Sequence, residues 1–209
     1  DVPYEALYGS PAGPSSPLTA ATLSDFLEHS LALSAWKAYG ASSWSLRCNP
    51  SSGNLHPTEG YVVAGPLEGL AGRPAVYHYA PREHGLERRA DLAPETWRAL
   101  TAGFPADSFL VGLASIHWRE AWKYGERAYR YCQHDVGHAF AALSLAAGLI
   151  GRRCVLLGGA SDADVARLLG LNRAADFLDA EPEHPDLPAA VCPAGSEALA
   201  ERAASVGAA

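Results

Sequence analysis

The spacing of apolar residues along the chain predicts a mixture of helices and strands. Four segments carry helical signals, which are apolar residues spaced along one face, a Pro in the first turn or a polar capping residue. The longest segment is rich in Ala and ends before Gly151, a typical helix stop. We predict helices at Leu23–Leu33, Pro94–Ala102, Arg127–Leu149 and Asp162–Leu169.

Shorter runs of β-branched or alternating apolar residues predict strands. We place the strands at Tyr61–Ala64, Ala75–Tyr79, Phe109–Trp118 and Cys154–Leu157. A Gly-rich connection joins the first two, which should therefore pair as a hairpin. Because helices and strands alternate irregularly, the pattern favours an α+β fold over a doubly wound parallel sheet.

A loop precedes this predicted core and a tail follows it. Residues 1–22 contain a run of Pro, Gly and Ser that is unsuited to regular structure. The Pro-rich stretch Glu181–Pro193 is interpreted as a tail that wraps around the surface and not as a core element. We expect one domain, with its core at residues 23–180 and the tail at 181–209. Since the sequence has no Met, even at position 1, we expect this domain to be part of a longer protein.

The composition is that of a soluble globular domain and excludes several classes of function. Of the 209 residues, 48% are hydrophobic and 19% are charged. The formal net charge of −7 comes without a basic cluster, so we expect neither nucleic acid nor anionic lipid as a partner. The longest near-apolar stretch, Ala139–Ile150, is too short to span a membrane. The four cysteines form no CxxC pair, so no zinc site or disulfide framework is indicated, and we expect the reducing cytoplasm as the compartment.

One loop combines a glycine with several polar side chains. In the string PSSGNLHP, residues 50–57, Gly53 allows the backbone to approach a ligand closely, and Ser51, Ser52 and Asn54 supply hydroxyl and amide groups. An ordinary turn explains the same residues without any function. Both interpretations stay open at this point.

Two further places could serve chemistry or binding. Lys123 and Tyr124 precede the longest predicted helix, where they are either solvated surface or a proton-exchanging pair whose pKa values a pocket has shifted. Gly158 and Gly159 follow a predicted strand, where bare backbone N–H groups can point at a ligand, although a turn is an equally good interpretation.

The string HDVGH places two imidazoles on one helical face. His134 and His138 have the four-residue spacing of zinc-binding helices, but the glutamate that serves as the base in the metalloprotease motif is missing. A metal-dependent hydrolase that uses His134, Asp135 and His138 is a distant alternative. We expect no metal here and instead expect both imidazoles to pack and hydrogen-bond within the fold.

Together, these motifs resemble a known family of flavoproteins. The loop at residues 50–57 and the strand after it, Glu59–Val63, resemble the Pro-Ser-Ser/Ala-Gly loop and following strand of the nitroreductase superfamily. The string KYGERAYRY, Lys123–Tyr131, with Gly137 and His138 further along, resembles its SagB/ThcOx branch, the thiazoline and oxazoline dehydrogenases. The likeness covers roughly Leu23–Leu171. It implies a central, mostly antiparallel sheet flanked by helices, in a homodimer or a tandem pseudo-dimer.

The resemblance also implies a cofactor, an activity and site residues. It implies an FMN-dependent oxidoreductase that transfers hydride between flavin and a small organic or modified-peptide azoline substrate. Lys123 would be the catalytic base and Tyr124 its partner. Fixed donors near a flavin that accepts hydride stabilise the developing negative charge. The residues implied to contact the cofactor are Arg47, Ser51, Ser52, Asn54, Gly158 and Gly159.

One departure from the family pattern concerns the FMN phosphate. Family members usually carry an Arg-x-Ser-x-Arg segment before the first helix, whereas this chain has no Arg before Leu23. The arginines could lie upstream of Asp1, or Arg47, Arg152 and Arg153 could replace them. The third alternative is a degenerate, non-catalytic partner domain in a tandem protein.

Overall fold

A six-stranded antiparallel sheet forms the centre of the fold in the computed structural model, which describes residues 2–7 and 14–194. The strands are β1 (Leu33–Tyr39), β2 (Ser42–Arg47), β3 (Thr58–Ala64), β4 (Ala75–Ala80), β5 (Gly85–Asp91), β6 (Phe109–Ser115), β7 (Arg152–Leu156) and β8 (His184–Pro193). The central sheet has the order β5-β4-β3-β6-β8-β7, and each neighbouring pair in it is antiparallel. Strands β1 and β2 form a separate hairpin.

Helices cover both faces of the central sheet. They are α1 (Ala20–Glu28), α2 (Pro94–Leu100), α3 (His117–Tyr124), α4 (Ala128–Leu149) and α5 (Asp162–Leu169). Because side chains alternate along a strand, Val62 of β3 joins Phe26 and Leu143 of α1 and α4 in one core, and Val63 joins Val165 of α5 in the other. Over the described ranges, none of the helices combines the length and apolar character needed to cross a membrane.

The predicted fold class is confirmed, and several predicted elements lie where the sequence placed them. The hairpin of β3 and β4 forms as predicted. Helix α5 has the predicted bounds, and a capping box closes its N-terminus. The Ser161 side chain accepts a hydrogen bond from the Asp164 backbone N–H, and the Asp164 side chain accepts one from the Ser161 backbone N–H. Pro94 occupies the first turn of α2.

The first predicted helix is partly wrong. Helix α1 begins at Ala20, earlier than predicted, and is capped by Thr19, whose side chain accepts a hydrogen bond from the Thr22 backbone. The helix ends at Glu28, and Leu33 already belongs to β1. The predicted loop of residues 1–22 therefore ends earlier than expected, and residues 8–13 of it lie outside the described residues.

The sequence did not predict β1, β2, β5 or α3. Residues 34–44, on the hairpin of β1 and β2, are exposed, so the hairpin lacks the apolar alternation of a half-buried strand. Strand β2 lies just before the loop at residues 50–57. The predicted strand Phe109–Trp118 was too long, because β6 ends at Ser115 and α3 follows at once.

The interpretation of Glu181–Pro193 as a surface tail is wrong. Strand β8 lies between β6 and β7, and its residues Ala189–Cys192 are 0% exposed. A proline lacks only the N–H donor, and the carbonyl of Pro188 still accepts a hydrogen bond from the Leu157 N–H at 3.0 Å. The part of the predicted tail after residue 194 lies outside the described residues.

Candidate functional site

The loop at residues 50–57 is anchored to helix α4 through one buried carboxylate. Ser51 Oγ donates to Asp135 Oδ2 at 2.6 Å, and Ser52 donates to Asp135 Oδ1 from its backbone N at 2.9 Å and its Oγ at 3.0 Å. The Asp135 side chain is completely buried. The hydroxyl protons of both serines are therefore engaged within the protein, and only their lone pairs are left for a ligand.

Asn54 and Arg47 hold the other side of the loop. Asn54 donates from Nδ2 to the Ser45 carbonyl at 2.9 Å, and its Oδ1 is 2.8 Å from His56 Nε2. Arg47 donates from Nη1 to the Thr58 carbonyl at 2.9 Å. Because a guanidinium has five donors, Arg47 keeps others for a ligand. Asn54, in contrast, fixes the shape of the loop with both ends of its amide.

Lys123 and Tyr124 lie against this loop. Lys123 Nζ is 3.4 Å from the Gly53 carbonyl, and a Cβ added at Gly53 would lie 2.5 Å from both Lys123 Nζ and Tyr124 Oη. Gly53 also has a φ of +65°, which favours glycine. The two motifs, about seventy residues apart in sequence, are thus brought into contact. The pair ends α3, and a short 3-10 turn at Gly125–Arg127 separates it from α4.

Sequence reasoning missed a buried acid one turn before Lys123. Glu120 of α3 is 0% exposed, and neither of its carboxyl oxygens has a hydrogen-bond partner in the described part of the chain. Burial first, and then the negative charge of Asp135, raise the pKa of Glu120 to about 7, against the opposing charge of Lys123. Only its three-residue spacing from Lys123 could have drawn attention to it.

Arg119, the residue before this acid, fastens α3 to its surroundings. Its Nη1 donates to Glu59 Oε1 at 2.7 Å and to the His56 carbonyl at 2.9 Å, and its Nε donates to Glu181 Oε2 at 2.8 Å. The start of β3, the loop and the segment before β8 are thereby joined to one guanidinium. This arrangement fixes the position of α3, and with it the Lys-Tyr pair.

A histidine extends this ionic network across the sheet. His78 Nε2 is 3.0 Å from Glu59 Oε2, and His78 Nδ1 is 2.8 Å from Glu87 Oε2. Burial alone would lower the pKa of His78, but the two carboxylates outweigh burial and raise it. Burial would likewise raise the pKa of Glu59, yet the bond from His78 and the nearby arginines lower it. Each partner therefore favours the charged form of the other.

Gly158 and Gly159 do not join this group of residues. They follow β7, and strands β8 and β6 lie between β7 and β3. Three strand spacings of roughly 4.8 Å put them about 14 Å across the sheet from the start of β3. Gly158 is exposed, and a Cβ added there would meet nothing within 4 Å.

The arginines considered for a phosphate have different surroundings. Arg152 is 1% exposed, and its Nη2 donates to the Ser16 carbonyl at 2.9 Å and to Asp107 Oδ2 at 3.1 Å. Arg152 is therefore a structural residue, and the idea that it helps to hold the phosphate is wrong. Arg153 is exposed on the edge strand β7, and Arg47 remains beside the loop.

The expectation that His134 and His138 are internal packing residues is wrong. Both lie exposed on α4, and neither imidazole has a hydrogen bond to the residues described. His138 Nδ1 is 3.9 Å from Asp135 Oδ1, and the ring of His134 packs edge-on to Tyr131. Within the described residues, no group of three or more His, Cys, Asp or Glu could hold a metal ion.

Comparison with known proteins identifies the family. The model described as "Nitroreductase family" matches residues 14–179 of the chain. The chain belongs to the nitroreductase family. The superfamily and the nitroreductase-like α+β fold predicted from the sequence are thereby confirmed.

Two curated relatives of this nitroreductase-family chain differ in how much they share with it. It is 39% identical over 115 residues to the trifolitoxin-processing protein TfxB of Rhizobium leguminosarum bv. trifolii, covering 49% of this chain and 29% of that protein. It is 29% identical over 160 residues to MJ1384 of Methanocaldococcus jannaschii, named as a nitroreductase, covering 74% of this chain and 76% of that one. The chain thus spans less than a third of TfxB.

Solved structures share the same fold. A nitroreductase of Anabaena variabilis superposes with a TM-score of 0.66 at 27% identity, over 82% of this chain and 34% of that one. The Escherichia coli microcin synthetase McbBCD complex with truncated pro-MccB17 bound gives a TM-score of 0.65 at 21% identity, over 92% of this chain and 73% of that one. The second likeness is one of fold alone.

The residues beside the loop fit the flavin that nitroreductases generally bind. A cavity of about 370 Å³ lies between the β1–β2 hairpin and the sheet, lined among others by Trp36 and Arg47. Arg47 has donors left for carbonyl or phosphate oxygens. The indole of Trp36, 62% exposed, offers an aromatic surface to a flat ring. Arg47 and Trp36 suit a planar, oxygen-rich cofactor, although Glu59, Glu83 and Glu87 also line the cavity.

Proposed function

We propose that this nitroreductase-family chain is an FMN-dependent oxidoreductase that transfers hydride between flavin and a small organic or peptide-azoline substrate. The observation that carries the proposal is the contact of the loop at residues 50–57 with Lys123 and Tyr124 at Gly53. The similarity to a trifolitoxin-processing protein and to a complex holding pro-MccB17 supports the azoline dehydrogenase-like branch and a peptide substrate.

In this proposal the chain's own residues bind, orient and move a proton. Arg47 holds an oxygen of the cofactor, while Ser51, Ser52 and Asn54 shape the loop that faces it. Bound FMN supplies the acceptor or donor of hydride. Lys123 accepts the substrate's proton at Nζ, and Tyr124 orients the reacting group through its hydroxyl.

Lys123 needs a cover to act as a base near neutral pH. A lysine does so when burial or a neighbouring cation favours the neutral amine, and Lys123 is exposed in the single chain. The cover would come from the bound substrate, the cofactor or a second copy of the domain. The base is therefore proposed to become competent only in the assembled complex.

We also propose a homodimer or tandem pseudo-dimer as the active form. Gly158 and Gly159 lie about three strand spacings from the loop. Two paired copies could bring the glycine turn of one copy to the loop of the other, which a single copy does not do. Sedimentation of the purified protein, with and without FMN, tests this pairing. A monomer that binds FMN fully and turns over would contradict it.

A flavin absorbance spectrum of the purified protein, followed by titration with FMN, tests the cofactor. Lys123→Ala and Tyr124→Phe should keep their flavin, and Lys123→Ala should slow azoline oxidation about 10²- to 10⁴-fold. Quinone reduction serves as the control reaction, because it needs no proton removal from carbon. Azoline oxidation by Lys123→Ala at the wild-type rate would remove Lys123 from the mechanism.

The second candidate function is a non-catalytic partner domain. It is favoured by the serine hydroxyls and the Asn54 amide being engaged within the fold. The microcin synthetase neighbour is itself a multiprotein complex. A colourless protein that forms a stable complex but has no measurable affinity for FMN would favour this role over the enzyme.

A further inference from the structure

Glu120 is a buried carboxyl group with no hydrogen-bond partner among residues 2–7 and 14–194. It is 0% exposed, and both carboxyl oxygens are without a partner in the described ranges. A buried carboxylate without a donor is strongly disfavoured, whereas the neutral acid is tolerated. The surroundings of Glu120 thus favour its protonated form.

The charged groups around Glu120 strengthen this preference. Asp135 on α4 receives its hydrogen bonds from the loop serines, which stabilise its negative charge and leave none of those donors for Glu120. Two carboxyl groups that interact in this way do not both ionise readily. Burial and Asp135 raise the pKa of Glu120, Lys123 on the same helix opposes the rise, and the result is about 7. Cys132 on α4 has its own pKa raised by burial and by Glu120, Asp186 of β8 and Asp135.

Glu120 lies three residues before Lys123 on α3, which makes their side chains neighbours on the helix. We propose that Glu120 is a positioning residue that sets the charge of the Lys123 amine. A carboxylate at this position favours the charged form of the neighbouring amine, and the neutral acid does not. This inference rests on the proposed function, in which Lys123 accepts the substrate's proton.

The proton balance follows from the positions of the two groups. The proton's bond to the substrate carbon breaks as its bond to Lys123 Nζ forms, and the proton leaves to solvent once the group that covers Lys123 has been released. The proton on Glu120 stays in place during the step, because the carboxyl group contacts neither solvent nor a hydrogen-bond partner among the described residues. Glu120 acts through its charge alone.

A test of Glu120 needs a control carboxylate on the other side of Lys123. Glu126 is three residues after Lys123 but lies beyond the end of α3, in the 3-10 turn, and is exposed, so water and salt screen its charge. We would compare wild type with Glu120→Gln and Glu126→Gln. The readout is the pH at which Lys123 begins to react with an amine-directed reagent, with the modified lysine located by mass spectrometry.

The Glu120→Gln variant should become reactive at a lower pH than wild type, because a neighbouring opposite charge has been removed. Glu126→Gln should shift this pH much less. Equal shifts in the two variants, or no shift in Glu120→Gln, would overturn the proposal. This assay needs no turnover, so it distinguishes failure of this inference from failure of the proposed oxidoreductase activity.

A measurement on unmodified protein covers the case in which Glu120→Gln does not fold. The infrared spectrum of wild type should contain the band of a buried protonated carboxyl group below pH 7, and the band should fade as the pH rises above 7. Labelling glutamate with ¹³C moves the band and separates it from that of aspartate. Burial also raises the pKa of Glu183, so a band that is lost in Glu183→Gln belongs to Glu183, and one that is retained there belongs to Glu120. Absence of a protonated glutamate at pH 6 would contradict a neutral Glu120.

Discussion

Replacement of Asp135 by Asn should loosen the loop at residues 50–57. Asp135 accepts three donors, which are the hydroxyls of Ser51 and Ser52 and the Ser52 N–H. The amide of Asn keeps one oxygen and presents two N–H donors instead, so at least one loop donor loses its acceptor. Hydrogen bonds to a charged group contribute about 1.5 to 3 kcal/mol each, and leaving one donor unpaired costs about 1 to 3 kcal/mol.

The net loss of stability should be smaller than the sum of these contributions. Burying a carboxylate is itself unfavourable, and the charge of Asp135 also acts against Glu120. We therefore expect Asp135→Asn to lower the free energy of unfolding by about 2 kcal/mol, the middle of the range for one unpaired donor. Urea unfolding at pH 7, with the change taken from the midpoint at constant slope, measures this loss.

The matched control for this experiment is Asp25→Asn. Asp25 is exposed on α1, so its substitution should change stability by less than about 0.5 kcal/mol. FMN titration of the same proteins should show weaker binding only in Asp135→Asn, because the loop is the proposed cofactor contact. A stability loss below about 0.5 kcal/mol in Asp135→Asn would refute the view that this carboxylate anchors the loop.

Three other predictions concern the loop and the pH dependence of stability. Gly53→Ala should displace the Lys-Tyr pair and slow turnover. Gly40→Ala, at a similar φ of +59° with nothing within 4 Å of the added Cβ, should lower stability without affecting the reaction. Steady-state kinetics and urea unfolding of both variants separate the two effects. The folded-state pKa of Glu120 lies above its unfolded value of about 4.3, so its contribution to the free energy of unfolding is lost as the pH rises towards about 7. Glu120→Gln should therefore gain stability relative to wild type between pH 5 and pH 8, as measured by unfolding curves at these two pH values. His78 also has a raised pKa, so its contribution to stability is fully present below its unfolded-state pKa of about 6.5 and falls as the pH rises through the higher folded-state pKa. A His78→Gln protein with the wild-type pH profile of stability would contradict this.

The fold could be predicted where local signals and tertiary packing agree. Helix α5 has a polar cap and a following glycine, and β3 has a β-branched run, so both were found. Strand β8 was missed because its prolines signal a loop. Prolines lack only the N–H donor, and the rest of the strand still pairs with β6 and β7. That pairing depends on residues far away in sequence, which no local window contains.

The candidate site could likewise be predicted only in part. The loop and the Lys-Tyr pair have recognisable residue patterns, and the structure places them together, but their roles remain predictions. The buried acids near the loop could not be identified from the sequence, since Asp135 was considered only beside two histidines and Glu120 was not singled out. Burial without a partner is a property of packing, and it is the property that distinguishes Glu120 from Glu126.

Neutrality of Glu120 matters for the proposed chemistry beyond its effect on Lys123. A flavin that accepts hydride gains negative charge, and fixed negative charge nearby opposes that gain. Asp135 already contributes one carboxylate to this region, although the serine and backbone donors offset it. In the proposed complex, a second carboxylate at Glu120 would oppose reduction of the flavin. It would also favour the ammonium form of Lys123. Both steps of a dehydrogenation would therefore become harder. Protonation of Glu120 therefore favours both hydride transfer to the flavin and proton transfer to Lys123.

Glu120→Gln should accordingly flatten the decline in the rate of azoline oxidation above pH 7, while Lys123 stays essential. A decline that persists unchanged in Glu120→Gln would assign it to another group.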